Sequence, residues 1–161
     1  MKYNYVKELM TSPAISIESS KTIKEAIEIL KEKNIGFLPI TKNNLIIGVV
    51  TDRDILIRGV GIYKLNTKIE KVMTSGDVYF TNPDANLEDA AKTMADHKIR
   101  RLVVLSDGII TGVLTTKNLL KEPSLFPYII KTYLPQNTLD NYYMYENSNP
   151  HDSIKTSDYP L

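Results

Sequence analysis

The stretch that decides the fold runs from Gly48 to Leu56 and reads GVVTDRDIL. Sixty-four residues later, from Gly112 to Leu120, the chain reads GVLTTKNLL. A second pair agrees with the first: Val6–Ser12, VKELMTS, returns as Ile69–Ser75, IEKVMTS, after 63 residues. Two motifs that recur in the same order at nearly one spacing indicate an internal repeat, so the chain is expected to contain two copies of one structural unit.

Local signals at the start of the first copy predict a short strand followed by a helix. Ile15–Ile17 alternates apolar and polar residues as a strand does. Thr22 lies three residues before Glu25, which is the spacing of a capping box at a helix start. Apolar residues then recur at helical spacing between positions 23 and 30, which predicts one buried helix face.

Each copy continues with two β-rich runs around a turn and closes with a second short helix. In the first copy the runs cover 36–40 and 45–50, and the helix is expected to begin near Thr51. The second copy carries the same signals in the same order: a strand at Val78–Phe80, a helix capped by Asn86, and strands at 102–105 and 109–114 around the turn Ser106–Gly108.

The predicted fold class is therefore α/β (α+β), with two tandem β-α-β-β-α units related by a pseudo-twofold axis. The units are assigned to residues 6–61 and 62–121, and neither is expected to be stable alone because a small sheet leaves one apolar face uncovered. Residues 122–161 form a C-terminal extension outside the repeat. It is predicted to contain a short apolar helix or arm at 125–134 and then an irregular stretch, whose Tyr142, Tyr143 and Tyr145 either dock on a partner subunit or belong to a loose tail.

The composition of the chain excludes several classes of function. The 20 basic and 19 acidic side chains give a formal net charge of +1, so there is no basic field of the kind a general nucleic-acid binder needs. The absence of cysteine excludes disulfides, zinc–cysteine sites and thiol catalysis, and His97 and His151 alone do not make a metal site. No catalytic motif is visible, so an enzyme is not expected. No run approaches the ~20 apolar residues that span a bilayer, and the protein is predicted to be cytoplasmic.

The repeated motifs carry a family resemblance over residues 6–121. Tandem units of this length that open with Leu-Met-Thr or Val-Met-Thr and close with Gly-x-x-Thr-x-x-Asp resemble the cystathionine-β-synthase (CBS) domain, whose paired form is the Bateman module. The resemblance implies a ligand of adenosine type, expected to be AMP, ADP or ATP with NAD or S-adenosylmethionine as alternatives, bound in two clefts between the repeats. It implies no catalytic cofactor.

Family positions carried onto this chain predict two sets of ligand-binding residues. The first cleft would use Thr51, Arg53 and Asp54 with Val78 and Phe80. The second would use Thr115, Lys117 and Asn118 with Ile15 and Ile17. Arg100 and Arg101 would reach phosphates in one or other cleft.

Physical chemistry supports these residue types at the first cleft. A phosphate near Thr51 would meet free backbone amides and the positive end of a helix, and both oxygens of Asp54 can accept from ribose hydroxyls. The plainer alternative is that Thr51 and Asp54 form a capping box, and the two roles can coexist. Asn118 offers only one acceptor oxygen, so the clefts are expected to differ, with the Asp54 cleft as the better ribose site.

The leading functional hypothesis is a homodimeric sensor whose ligand changes how the units sit together, a geometry that an unidentified regulated protein reads. The short helices starting near Arg53 and Lys117 would supply the dimer interface. The second hypothesis is a protein-interaction scaffold with vestigial clefts. The third, nucleic-acid binding through an Arg-lined surface, would show a steep salt dependence.

Overall fold

A computed structural model describes residues 1–134. The first unit contains β1 (Ile17–Glu18), α1 (Ile23–Lys33), β2 (Phe37–Lys42), β3 (Leu45–Thr51), α2 (Asp52–Asp54) and a π-helical turn (Ile55–Gly59). The second contains β4 (Phe80–Thr81), α3 (Leu87–Asp96), β5 (Arg101–Ser106), β6 (Ile109–Thr115) and α4 (Thr116–Leu119). A further helix, α5 (Phe126–Tyr133), follows, and 3-10 turns occupy Val6–Glu8, Ile69–Lys71 and Pro123–Leu125. The predicted order of strands and helices in both units is confirmed.

Each unit has a three-stranded sheet with the same topology. In the first, β1 runs parallel to β2, and β2 runs antiparallel to β3. The second sheet repeats this arrangement with β4, β5 and β6, and both hairpins carry a register shift at the equivalent place, after Ile40 and after Val104. The same irregularity at equivalent positions shows that the internal repeat extends from sequence to backbone geometry.

The helix starts and hairpin turns form as their residues predict. The Thr22 hydroxyl accepts from the Glu25 amide at 3.2 Å, and the Glu25 carboxylate accepts from the Thr22 amide at 2.8 Å. The Asn86 side chain caps α3. Asp107 and Gly108 have φ values of 51° and 78° in the second hairpin turn, the left-handed conformation that two-residue hairpin loops favour.

The opening strands lie two residues further along the chain than the sequence predicted. The structure begins β1 at Ile17 rather than Ile15, and β4 at Phe80 rather than Val78. Strand geometry here depends on pairing with the central strand, and the Cα partners begin with Ile17 opposite Ile40. Ile15 and Val78 lie before that pairing and are only partly buried.

The two units exchange their opening segments. Val6 and Leu9 are buried in the core of the second unit, whereas Ile69 and Val72 are buried in the core of the first. Thr11 pairs with Val113 of β6. Each sequence repeat therefore completes the hydrophobic core of the other, so neither unit has its full core without the other repeat.

This exchange explains the glycine in each closing motif. A Cβ atom on Gly48 would lie 2.7 Å from the carbonyl oxygen of Thr74 and 2.9 Å from Sδ of Met73. A Cβ atom on Gly112 would lie 2.7 Å from Sδ of Met10 and 2.9 Å from the carbonyl oxygen of Thr11. The Met-Thr motif of one repeat thus lies against the glycine of the other, and only glycine leaves room for it.

Helix α5 completes the second unit. Leu125 and Ile129 are buried in its core, and Lys98 Nζ donates to the carbonyl oxygens of Lys131 and Leu134 at the helix end. The predicted apolar helix is therefore present and packs on α3. The predicted irregular stretch with Tyr142, Tyr143 and Tyr145 lies outside the described residues. Among residues 1–134 no helix is long and apolar enough to cross a membrane.

Candidate ligand clefts between the two units

Two cavities of unequal size lie between the units. The larger measures about 550 Å³ and the smaller about 200 Å³. Ligand pockets typically measure ~300–1,000 Å³, so only the larger has the volume of an ordinary small-molecule site. Arg100 and Arg101 line both cavities.

Both units and the C-terminal extension form the larger cavity. The first unit contributes Pro13–Ile15 and Asn34–Phe37. The extension contributes Tyr133, and the remaining lining residues are Thr11, Arg100, Arg101, Val113, Thr115–Asn118 and Lys121. The wall thus has an apolar side and a polar, cationic side, an arrangement suited to a ligand with a flat apolar part and an anionic part.

The polar side of this cleft is the start of α4. The Thr115 hydroxyl accepts from the Asn118 amide at 3.2 Å, and Asn118 Oδ1 accepts from the Thr115 amide at 2.8 Å. The Asn118 side-chain amide also donates to Thr11 Oγ1 at 3.4 Å. Asn118 therefore holds the helix start and the crossing segment together, and it lies in the cavity wall beside Lys117.

Arg101 is a partly buried cation that lines both cavities. Its guanidinium carbon lies 5.4 Å from the centroid of the Phe37 ring, across the boundary between the units. Burial, and secondly the positive charge of Arg100, lower the pKa of Arg101 from its usual range. Two arginines are thus held close together, and an anion in either cleft would offset their mutual repulsion.

Sequence reasoning missed Tyr133, which lies outside the repeat. Its hydroxyl lies 2.9 Å from Thr116 Oγ1, and the Arg100 guanidinium carbon lies 6.0 Å from the centroid of its ring. The apolar run at 125–134 predicted a short helix or arm, but it did not predict that this segment packs back against the second unit. Only the packing of α5 on α3 brings Tyr133 to the cleft.

The smaller cavity corresponds to the Asp54 cleft, which the sequence analysis predicted to be the better ribose site. Thr51 and Val78 line it together with Asp77, Tyr79 and the shared arginines, while Phe37, Val49, Ile99 and Val103 complete the wall. Asp54 is not part of this wall. Its two carboxylate oxygens are already engaged, one by the Thr51 amide at 2.9 Å and the other by Arg58 at 2.8 Å.

The structure therefore places eight of the twelve predicted site residues in the cavity walls and four outside them. Those in the walls are Thr51, Val78, Ile15, Thr115, Lys117, Asn118, Arg100 and Arg101. Ile17 is a buried core residue of the first unit, and Phe80 and Arg53 are exposed outside both cavities. Asp54 is outside because it forms the predicted capping box with Thr51 and an ion pair with Arg58. The Asn118 cleft has the larger cavity, and the preference of ribose for the Asp54 cleft stays a prediction.

Two α/β units that exchange their opening segments and enclose two clefts define a tandem module. The chain belongs to the CBS-domain family, because the model of the CBS domain matches residues 6–61 and again 69–124. The chain is 32% identical over 115 residues to the CBS domain-containing protein YhcV of Bacillus subtilis, an alignment that covers 71% of this chain and 81% of the relative.

Two solved structures of this fold contain adenosine derivatives. A CBS domain protein from Pyrobaculum aerophilum complexed with AMP is 25% identical with a TM-score of 0.68, over 78% of this chain and 98% of that one. The CBS domain pair of protein MJ0100, in complex with 5′-methylthioadenosine and S-adenosyl-L-methionine, is 26% identical with a TM-score of 0.66, over 74% and 95%. The tandem CBS pair predicted from the sequence is confirmed. The cytoplasmic location stays a prediction.

Proposed function

We propose that this chain is a non-catalytic regulatory module that binds an adenosine-type nucleotide between its two CBS units. The main support for this proposal is the cavity of about 550 Å³, whose wall combines apolar residues of the first unit with cations of the second. The adenosine derivatives in two structures of the same fold support the ligand class. We place the primary site at the Asn118 cleft, and we propose that a regulated protein reads the ligand state.

The physical basis of a switch is that one ligand would contact both units at once. Ile15 and Phe37 come from the first unit, whereas Lys117 and Arg101 come from the second. A ligand that bridges these residues binds tightly only when the units have one relative arrangement, and it therefore stabilises that arrangement. The exchanged opening segments would carry the change, since they connect the cavity wall to both cores.

The internal repeat supplies a matched pair of variants for the test. Lys117 lines the larger cavity, and its repeat equivalent Arg53 is exposed outside both cavities. Isothermal titration with AMP, ADP, ATP, NAD and S-adenosylmethionine would be run on the wild-type chain, Lys117→Gln and Arg53→Gln. We expect saturable binding of at least one nucleotide, weakened about five- to tenfold (about 1–1.4 kcal/mol) by Lys117→Gln and unchanged by Arg53→Gln.

Two other results would count against this assignment. If only Arg53→Gln weakens nucleotide binding, the nucleotide binds in the Asp54 cleft, as the sequence predicted. No binding of any of the five compounds to folded protein freed of co-purified nucleotide would favour the scaffold alternative over the sensor.

We also propose that the module forms a homodimer through the first unit. Four large apolar side chains are more than half exposed next to α2, namely Leu56, Ile57, Val60 and Ile62. The patch repeats only in part, because Leu120 and Phe126 are exposed at the equivalents of Leu56 and Ile62 but Lys121 replaces Ile57. A twofold axis would pair this patch with itself in a second copy, which is how most dimers bury such a surface. Light scattering should give twice the chain mass for the wild type and the single chain mass for Ile57→Glu, and a monomeric wild type at high concentration would contradict the proposal.

A further inference from the structure

We propose that the Asn118 cleft selects an adenosine nucleotide with two or three phosphates over AMP, and excludes the cationic sulfonium of S-adenosylmethionine. This inference rests on the proposed function and names the ligand that the site prefers. Four cations line the cavity, namely Arg100, Arg101, Lys117 and Lys121, and no aspartate or glutamate among residues 1–134 does. In the smaller cleft, by contrast, the two arginines share the wall with Asp77.

The internal repeat shows which charges make the difference. The first unit has Asp52, Asp54 and Ile57 where the second has Thr116, Asn118 and Lys121. The closing motif of the second unit therefore has neutral side chains where the first unit has two aspartates, and it is followed by a lysine where the first unit has an isoleucine. These three changes make the closing motif of the second unit more positive. The next position changes in the opposite sense, from Arg58 to Glu122, but the Glu122 carboxylate accepts from the Lys2 and Tyr3 amides and does not line the cavity.

The surroundings of Arg101 disfavour its positive charge, and an anion beside it would oppose this effect. Burial, and secondly the neighbouring Arg100 charge, lower the pKa of Arg101, and the charge of Asp52 offsets only part of this shift. Asp52 does not line the cavity, but its carboxylate lies close to Arg101: a Cβ atom on Gly36 would be 2.9 Å from Asp52 Oδ2 and 3.4 Å from Arg101 Nη2. A monophosphate offers at most two charges to four cations, whereas a di- or triphosphate offers three or four. A sulfonium adds a further positive charge and increases the repulsion.

Lys121 is the residue on which the preference for additional phosphates depends. It lies outside the Gly-x-x-Thr motif and has no ion pair within residues 1–134. Because Lys117 and Lys121 are four residues apart at the end of the second unit, they extend the cationic wall beyond the start of α4. A longer phosphate chain carries more negative charge to share among Lys117, Lys121 and the two arginines than a single phosphate does.

The test is a titration of the full chain with adenosine, AMP, ADP, ATP and S-adenosylmethionine, without divalent cations and at two salt concentrations. We expect ADP or ATP to bind at least tenfold more tightly than AMP, with S-adenosylmethionine weaker than AMP and the ATP affinity falling most steeply with salt. Lys121→Gln should weaken ATP binding more than AMP binding and so reduce the ratio of ATP to AMP affinity several-fold. Lys42→Gln, at an exposed lysine of the β2–β3 hairpin, should change neither.

Each contrary outcome has one meaning. If AMP or S-adenosylmethionine binds as tightly as ATP or more tightly, the selection by charge is wrong, but the proposal of a nucleotide sensor still stands. A tenfold preference for ATP that persists in Lys121→Gln would overturn the role of Lys121. No binding of any compound would contradict the proposed function itself, and circular dichroism would confirm that each variant is folded.

Discussion

Replacing Gly112 with alanine tests the contact that joins the two repeats. The added Cβ atom would lie 2.9 Å from the carbonyl oxygen of Thr11 and 2.7 Å from Sδ of Met10. The methionine side chain can move, but the carbonyl belongs to a backbone segment paired with β6. Thr11 and Val113 exchange two hydrogen bonds of 2.9 and 3.0 Å there, so relieving the clash must weaken this pairing.

The expected loss follows from three opposing contributions. Overpacking a tight site costs about 1–3 kcal/mol, and weakening one backbone hydrogen bond costs about 1 kcal/mol more. Alanine also reduces the freedom of the unfolded chain, which offsets about 0.4–1 kcal/mol. Gly112→Ala should therefore lower the free energy of unfolding by about 1–3.5 kcal/mol, or roughly 2–14 °C in Tm for a chain of this size.

The matched control is Gly76→Ala. A Cβ atom at Gly76 would have no other atom within 4 Å, and its φ is outside the left-handed region. Calorimetry and urea denaturation of both variants would measure the difference. The reasoning is refuted if Gly112→Ala melts as the wild type and the Gly76 control do, because the crossing segment would then not be held against the glycine.

Two further predictions concern the junction between the second unit and the extension. Hydrogen bonds from the Ser124 hydroxyl, then from the Lys2 and Tyr3 amides, hold the pKa of Glu122 at about 2. Because this is below the value of ~4.3 in an unfolded chain, the carboxylate stabilises the fold above about pH 4.5, and that contribution disappears as the pH falls towards 2. Tm measured across this range should fall less for Glu122→Gln than for the wild type, and equal slopes would contradict this. Tyr133→Phe removes the hydrogen bond to Thr116 and should lower the free energy of unfolding, measured by urea denaturation, by about 0.5–1.5 kcal/mol. The control Tyr63→Phe should lower it less, because the Tyr63 hydroxyl makes no hydrogen bond within residues 1–134. Equal losses of stability in the two variants would mean that the Tyr133 hydroxyl has no structural role.

Much of the fold could be predicted because its signals are local. The capping pair Thr22 and Glu25 and the turn residues Asp107 and Gly108 act through neighbours three residues away or fewer. The short opening strands were displaced by two residues because parallel pairing with a distant strand, not local alternation, determines where they begin. The site was predicted only in part for the same reason. Thr115 and Lys117 follow from a motif, whereas the arrangement around Asp54 depends on Arg58, which engages its free oxygen.

The sequence by itself determined that two similar units are present, where their hairpins turn and where their helices start, since these depend on residue types at fixed short spacings. Tertiary structure alone decided that the opening segments are exchanged and that Tyr133 returns to the cleft. It also decided that the larger cavity lies at Asn118. Those features depend on which surfaces of segments distant in the chain pack against each other. A motif specifies the residues of a cleft, but the packing of both repeats and α5 determines its volume and its charge.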